Sequence, residues 1–255
     1  MDCADTTNRV ELGVMEERDL IPELTNGGDV DTSSMLERLL RERWSCRAFD
    51  DRAVPDATIT RLLQLAQRSA SWSNLQPWQI IVTRNAGTER FRAALRARAE
   101  SEGDHTDSDF LRPESYEGVY QERRRECGWQ LYEAVGVTRG DHEVSARVAL
   151  RNFDLFDAPH VAIITTAASL GVYGAVDCGL YVGTFLLAAQ SLGLGAVAQA
   201  ALARWGHFVR DYFALPEDRL VLVGISFGYP DLANPVNRYR TSRADLDTAV
   251  HWCDS

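Results

Sequence analysis

The chain has 255 residues, of which 45% are hydrophobic and 25% are charged, proportions that fit a globular protein and exclude a disordered one. The formal net charge of −10 is concentrated at the N-terminus, because residues 1–32 hold nine acids and two bases while the rest is close to neutral. This distribution excludes a nucleic-acid-binding protein, which needs a basic surface. It predicts an acidic N-terminal arm (1–32) followed by one domain (33–255).

The first third of the chain is expected to contain two helices and a polar loop. The spacing Ser34-x-x-Glu37 predicts a capping box at the start of the first helix, which is expected to end near Trp44. A second helix is expected to begin with Asp56 as its cap, because apolar residues follow it at helical spacing. Residues 69–78 are small and polar and contain a proline, which predicts a loop.

The remaining elements are three strands and further helices. Residues 79–83, 161–166 and 219–226 have the apolar, β-branched composition of buried strands. Residues 88–99 are expected to form a basic surface helix, and the charged residues 100–150 a helical excursion from the body. Strands separated by helical stretches predict a mixed central sheet flanked by helices.

Five cysteines are scattered through the chain, with no CxxC pair and none at metal-ligand spacing from a histidine. Their odd number predicts reduced thiols, a cytoplasmic protein and no metal site. The N-terminus lacks a basic segment followed by an apolar one, so we expect no secretory signal.

Residues 178–203 form a run without a single charge. Its length permits a membrane span, but Gly193 and Gly195 interrupt it, and Gln190 and Gln199 would lack partners in lipid. A helix that is apolar on all sides is also what a buried core or a large subunit interface requires. We therefore expect a core or interface helix and no membrane span.

Two further motifs match catalytic or nucleotide-binding patterns only loosely. Gly193-x-Gly195-x-x-Ala198 fits a dinucleotide fingerprint, but a helix precedes it and a strand follows, the reverse of the order that this motif needs. Gly224-x-Ser226-x-Gly228 fits a hydrolase nucleophile elbow, with Asp245 and His251 downstream. The elbow needs a helix after the serine, and Tyr229-Pro230-Asp231 disfavours one. We expect neither function.

Arg43-Trp44-Ser45-Cys46-Arg47 follows the first helix and places two arginines and a hydroxyl at alternate positions. In an extended segment alternate side chains point the same way, and guanidinium groups and hydroxyls are good donors to phosphate oxygens. The same residues could also form a solvated surface pair, since most arginines are exposed. The segment alone does not decide between these alternatives.

Taken with later segments, this motif resembles the nitroreductase family of FMN enzymes. The segments that agree in order and spacing are Arg43-x-Ser45-x-Arg47-x-Phe49, Ser71-x-x-Asn74-x-Gln76-Pro77-Trp78, Leu187-Ala188-Ala189, Gly193-Leu194-Gly195, Gly228-Tyr229-Pro230 and Arg240-x-x-Arg243. The resemblance covers about residues 34–250. It implies an α+β, three-layer nitroreductase-like fold and an interlocked homodimer with one FMN in each of two sites at the subunit interface.

The resemblance also implies roles for individual residues. Arg43, Ser45, Arg47 and Arg243 would surround the ribityl phosphate, and Asn74 would bond the polar edge of the isoalloxazine. The turn that follows the last strand-like segment of the uncharged run would lie near flavin N5. The complete set of implied cofactor-binding residues is Arg43, Trp44, Ser45, Arg47, Ser71, Trp72, Ser73, Asn74, Gln76, Gln199, Ala200, Ala201, Arg240 and Arg243.

The implied activity is an oxidoreductase of ping-pong type. NADPH or NADH would reduce the flavin, which would then reduce a nitroaromatic or quinone-like compound, so no protein side chain is expected to be catalytic. The alternatives are another flavin chemistry on the same fold, namely reductive dehalogenation or flavin cleavage, and a non-catalytic FMN-binding protein. Two departures concern the flavin environment, because Ala70 replaces the usual proline and Ala200 replaces an acid found in many members.

Overall fold

The computed structural model describes residues 31–103, 105–138 and 140–254. The acidic residues 1–30 therefore lie outside the described part of the chain. The helices are α1 (Thr32–Glu42), α2 (Asp56–Ala66), α3 (Ala86–Glu102), α4 (Gly118–Ala134), α5 (His142–Leu150), α6 (Gly171–Ser191) and α7 (Gly206–Phe213). The strands are β1 (Gln79–Val82), β2 (His160–Ala167), β3 (Gly195–Gln199) and β4 (Arg219–Gly228).

The four strands form one sheet in the order β1-β2-β4-β3, and every neighbouring pair is antiparallel. The sheet that was predicted to be mixed is antiparallel in these four strands, and the one parallel pairing in the described residues is the isolated bridge between Ser45 and Ala196. The reason lies in the connections. The helical excursion leaves β1 and returns to β2 at the same end of the sheet, where the amide of Thr83 donates to the carbonyl of Val161 over 2.9 Å. Of the described helices only α6 crosses the sheet, and β4 separates the two strands that it joins.

Helices cover both faces of this sheet, which gives the three layers of an α+β fold. On one face the buried residues Ile164, Ile225 and Phe227 pack with α2 and α6. On the other face Val161, Ile163 and Val221 pack with α3 and α7. Adjacent strand residues point to opposite faces, so the alternation along β2 divides its side chains between these two cores.

The start of α1 differs from the predicted capping box. Asp31 is the N-cap, and its carboxylate accepts hydrogen bonds from the Ser33 amide (3.1 Å) and from the hydroxyls of Ser33 and Ser34. A carboxylate is a stronger acceptor than the Ser34 hydroxyl, and these bonds lower the pKa of Asp31 to about 2. The helix ends at Glu42 rather than Trp44, and the residues assigned to the arm at 31 and 32 belong to this helix.

Two other elements differ from expectation in ways that follow from packing. Asp56 is not the cap of α2 but its first residue, after Pro55, and its carboxylate pairs with Arg84 at 2.9 Å. The basic helix α3 is not only a surface element, because Phe91 and Leu95 are fully buried beneath the sheet. β1 is a partly exposed strand at the sheet edge, rather than a buried one.

Helix α6 contains most of the uncharged run. It is the one described helix long and apolar enough to cross a membrane by length and composition, but Tyr181 and Phe185 pack it into the core on the sheet. Gly193, with φ of 71°, ends it in a Schellman motif, in which the Leu194 amide donates to the carbonyl of Ala189 over 2.9 Å. The glycine thus terminates a helix, which removes the basis of the dinucleotide fingerprint.

Candidate functional site

A cavity of about 960 Å³, here called the arginine cavity, lies among four parts of the chain. They are α1, the arginine segment that follows it (residues 43–47), helix α4 and the C-terminal tail after β4 (residues 229–254). Six of the predicted cofactor-binding residues line it together, namely Arg43, Trp44, Ser45, Arg47, Arg240 and Arg243. Cys127 of α4 and Tyr239 of the tail also line it, and neither was predicted. The rest of the wall comes from α1 and the tail, namely Ser33, Leu36, Glu37, Leu40, Arg41 and Thr241. Arg43 and Arg47, which follow α1, are thus neighbours in the fold of arginines about 200 positions later in the tail.

The segment after α1 is extended, as its alternating sequence predicted. Cys46 and Ala48 are buried, while Ser45 and Arg47 are partly exposed toward the cavity. Ser45 forms a bridge with Ala196 of β3, and the Cys46 amide donates to the carbonyl of Ala196 over 3.1 Å. The segment therefore continues the sheet beyond β3.

Asn237 joins this segment to the tail. Its Oδ1 accepts from the Arg47 amide at 2.9 Å and from Trp44 Nε1 at 3.4 Å. Its Nδ2 donates to the carbonyls of Ala48 and Asp231, each at 2.8 Å. The side chain is 3% exposed, so the amide is fully used in holding the two walls of the cavity together. Sequence reasoning missed this residue because a single asparagine in a polar tail carries no local signal.

The cavity holds an excess of positive charge. Of the five arginines that line it, Arg41 pairs with Glu37 at 3.0 Å. The other four, Arg43, Arg47, Arg240 and Arg243, form no ion pair with a carboxylate in the described residues. Burial, followed by the like charge of Arg243, lowers the pKa of Arg43. Like charges held together at a half-buried site favour an anionic ligand, and the donors present suit a phosphate.

Two of the cavity arginines are held in place by neighbours. Arg47 Nη1 donates to the hydroxyl of Tyr239 at 2.7 Å and to the carbonyl of Ser45 at 3.2 Å. Arg240 stacks on the Trp44 ring, with its guanidinium carbon 4.4 Å from the ring centroid. Burial raises the pKa of Tyr239, although the charge of Arg47 acts in the opposite direction. The phenol therefore remains a neutral donor and acceptor at physiological pH.

The loop from Ser71 to Gln76 does not line this cavity. Three of its non-glycine residues, Ser73, Asn74 and Gln76, have positive φ of 48°, 56° and 48°. Such backbone strain is typical of functional sites and persists only when surrounding contacts impose it. Trp72 is 59% exposed and its ring lies 4.7 Å from the ring of Tyr173 on α6.

Two buried charged residues hold the two ends of this loop. Asp177 Oδ1 accepts from the Trp72 amide at 3.0 Å, and Arg219 donates to the carbonyl of Pro77 at 3.1 Å. Asp177 is 4% exposed and Arg219 is 8% exposed. Neither pairs with an opposite charge in the described residues, so each charge stabilises loop backbone instead. Both residues were missed, because their partners are distant in sequence.

The third predicted group lies where β3 ends. The Gln199 side chain is buried, donates to the carbonyl of Asn152 at 2.9 Å and accepts from the Ser226 hydroxyl at 2.5 Å. Ala200 is exposed and Ala201 is half-buried. This group is adjacent to the arginine segment through the Ser45–Ala196 bridge.

The hydrolase hypothesis does not fit this arrangement. Ser226 is fully buried within β4, and its hydroxyl donates to Gln199. The described residues contain no group of three or more His, Cys, Asp or Glu side chains that could hold a metal ion.

Comparison with known proteins agrees with this geometry. The model of the Nitroreductase family matches residues 40–229. Nitroreductase NfnB of Mycolicibacterium smegmatis is 34% identical over 234 residues, covering 91% of this chain and 98% of the relative. A 4-nitrobenzoate reductase of Nocardioides sp. is also 34% identical, over 84% of this chain and 88% of the relative. The crystal structure of the FMN-dependent nitroreductase NfnB from Mycobacterium smegmatis in complex with NADPH covers 88% of this chain and 100% of its own, with a TM-score of 0.82 at 33% identity. The chain therefore belongs to the nitroreductase family.

Proposed function

We propose that this chain is an FMN-dependent nitroreductase, a flavoprotein that uses NADPH or NADH to reduce nitroaromatic compounds. The observation that carries the proposal is the cavity with four arginines that lack carboxylate partners in the described residues. Similarity to an FMN-dependent nitroreductase solved with NADPH supports it.

The phosphate of FMN would occupy the arginine cavity. Arg43, Arg47 and Arg243 would neutralise a charge of about −1.5 to −2, and the Ser45 hydroxyl would add a short donor. Arg240, stacked on Trp44, would close the site from the tail. The cavity volume of about 960 Å³ also leaves room for the ribityl chain.

The flavin ring would lie between two protomers. In one chain the arginine segment adjoins β3 and the 71–76 loop precedes β1, at opposite edges of the sheet. Four strand spacings of about 4.8 Å separate these edges by about 19 Å, and helices cover both sheet faces between them. A loop that contributes to the same cofactor site would therefore come from a second copy of the chain.

An exposed apolar face on α6 supports such a homodimer. Val176 is 54% exposed and Leu180 is 48% exposed, and no charged side chain interrupts this face. A Cβ at Gly179 or Gly183 would meet nothing within 4 Å in this chain, so these positions are open to a partner. Burial of this surface in a dimer would be strongly favourable.

FMN, when bound, supplies the hydride chemistry, which no side chain of the protein can perform. The chain's residues would bind the cofactor, orient it and exclude water from the site. Asn74 and the arginine segment would direct donors at the ring edge that gains negative charge on reduction, which is electrostatic preorganisation. Trp72 and Tyr173 would offer an aromatic surface beside the ring.

The remaining assignments are proposals of the same kind. The FMN-binding domain would begin at Asp31, the cap of α1, rather than at residue 33. The excursion at 100–150 would lie near the substrate, since Cys127 of α4 already lines the arginine cavity. The two buried thiols, Cys46 and Cys178, fit a reducing cytoplasm.

The kinetic test is an NADPH oxidation assay with and without a nitroarene such as 4-nitrobenzoate. If both substrates use one flavin face in turn, double-reciprocal plots at several NADPH concentrations are parallel. Removal of oxygen should leave the rate unchanged, because electrons leave in pairs. If the flavin-loaded protein oxidises neither NADPH nor NADH in a nitroarene-dependent way, the proposed activity is rejected.

A further inference from the structure

Three side-chain amides form a relay that begins at a buried indole and ends in the strained loop. Trp78 Nε1 donates to Gln67 Oε1 at 3.0 Å, and Gln67 Nε2 donates to Gln76 Oε1 at 2.9 Å. Gln76 Nε2 then donates to Asn74 Oδ1 at 3.0 Å. Trp78 is 6% exposed and packs on Tyr181, so the first donor of the relay is held rigidly.

The indole determines the direction of every bond in this relay. An amide side chain can turn either its oxygen or its nitrogen toward a neighbour, but an indole N–H can only donate. Gln67 must therefore turn its oxygen to Trp78 and its nitrogen to Gln76. Gln76 then accepts with its oxygen and has its nitrogen left to donate, so the oxygen of Asn74 faces Gln76.

We propose that Gln67 and Trp78 are positioning residues that fix Asn74 as a hydrogen-bond donor toward a carbonyl oxygen of the bound flavin. The inference rests on the proposed function, since it takes Asn74 as a flavin contact. With Oδ1 occupied, Asn74 Nδ2 is the group left to face a ligand, and it donates to no residue in the described part of the chain. A donor at this place stabilises the negative charge that reduction adds to the ring.

Replacement of Gln67 by glutamate reverses the last two bonds of the relay with almost no change in volume. A carboxylate accepts at both oxygens, so it would still accept the hydrogen bond from Trp78 Nε1 and would also require a donor from Gln76. Gln76 would then turn its nitrogen to the new carboxylate and its oxygen to Asn74. Asn74 would in turn present Oδ1, an acceptor, to the flavin carbonyl.

The experiment measures the FMN dissociation constant and the reduction potential of the bound flavin in Gln67→Glu. We expect the dissociation constant to rise about tenfold, because one donor is lost and two oxygens face each other, and the potential to fall. Gln79→Glu is the matched control, since it makes the same charge change at an exposed residue of β1 that no relay bond involves. Gln67→Met, which removes the relay without adding charge, should give a smaller effect.

The same substitutions made in an Asn74→Ala variant separate the effect of the relay from the effect of the added negative charge. In Asn74→Ala the relay has no end group, so Gln67→Glu should change affinity and potential there no more than Gln79→Glu does. If Gln67→Glu acts equally with and without Asn74, or matches Gln79→Glu in the native background, the relay has no positioning role. Failure of the native chain to bind FMN would instead reject the proposed function.

Discussion

Replacement of Asn237 by alanine should destabilise the chain and weaken the cofactor site together. The substitution removes three strong hydrogen bonds, to the Arg47 amide and to the carbonyls of Ala48 and Asp231. Each of these bonds contributes about 1 kcal/mol, so the free energy of unfolding should fall by about 3 kcal/mol. The Arg47 amide loses its partner, whereas the carbonyls of Ala48 and Asp231 still accept from the amides of Asp231 and Asn234. For a chain of this size the melting temperature should then fall by about 6–12 °C.

The measurement is denaturant unfolding of the FMN-free protein at one fixed protein concentration, followed by FMN titration. Asn234→Ala is the matched control, because Asn234 lies in the same tail and its side chain bonds only the Val236 amide, at 3.2 Å. It should lose about 1 kcal/mol, the usual contribution of a cap. If both variants lose the same stability, or if Asn237→Ala binds FMN as tightly as the native chain, Asn237 does not join the two walls.

Three further changes test other parts of the account. Arg243→Ala should raise the FMN dissociation constant about 10- to 150-fold, the value of a charge-assisted bond to phosphate, while Arg238→Ala, outside the cavity, should leave it unchanged by fluorescence titration. Gly183→Leu should abolish dimer and flavin retention together in analytical ultracentrifugation, since a Cβ there meets nothing within 4 Å in its own chain and the side chain would extend toward the partner; a flavin-bound monomer would contradict the interface site. Burial raises the pKa of the Cys178 thiol from 9.0 to about 11, so the stability from its bound proton is present below pH 9 and lost as pH rises to 11. Cys178→Ala should flatten the stability profile in that window, and an unchanged slope would contradict the assignment.

The parts of the site that could be predicted from sequence are those with a local pattern. The alternation around Ser45 needs only an extended backbone, and the structure has one. The polar residues before Trp78 predicted a loop because they could not continue a helix or strand. The uncharged run predicted a buried or interface helix, and α6 is apolar on both its core and its exposed sides.

The parts that could not be predicted depend on contacts between distant segments. Asn237 bonds a residue 190 positions away, and Asp177 bonds the Trp72 amide 105 positions away. Neither residue differs locally from an ordinary polar one. The direction of each strand could not be predicted for the same reason, since it depends on where each connection returns to the sheet. The cap at Asp31 was missed because two acceptors compete there and a capping-box spacing does not rank them.

The relay that ends at Asn74 combines residues that a local sequence pattern identifies with one that only the folded structure identifies. Gln76 and Trp78 belong to a recognisable motif, but Gln67 precedes that motif and lies at the end of α2. Its role is visible only when the 2.9 Å bond to Gln76 and the 3.0 Å bond from Trp78 are seen together.

The proposed function requires that the arginine cavity hold the phosphate of a non-covalent flavin. The most direct measurement is the visible spectrum of the purified, FMN-reconstituted protein, followed by acid or heat release and quantification of the free flavin. We expect a yellow protein that releases unmodified FMN at about one per chain, as one phosphate site per chain requires. A protein that remains colourless after reconstitution would contradict it.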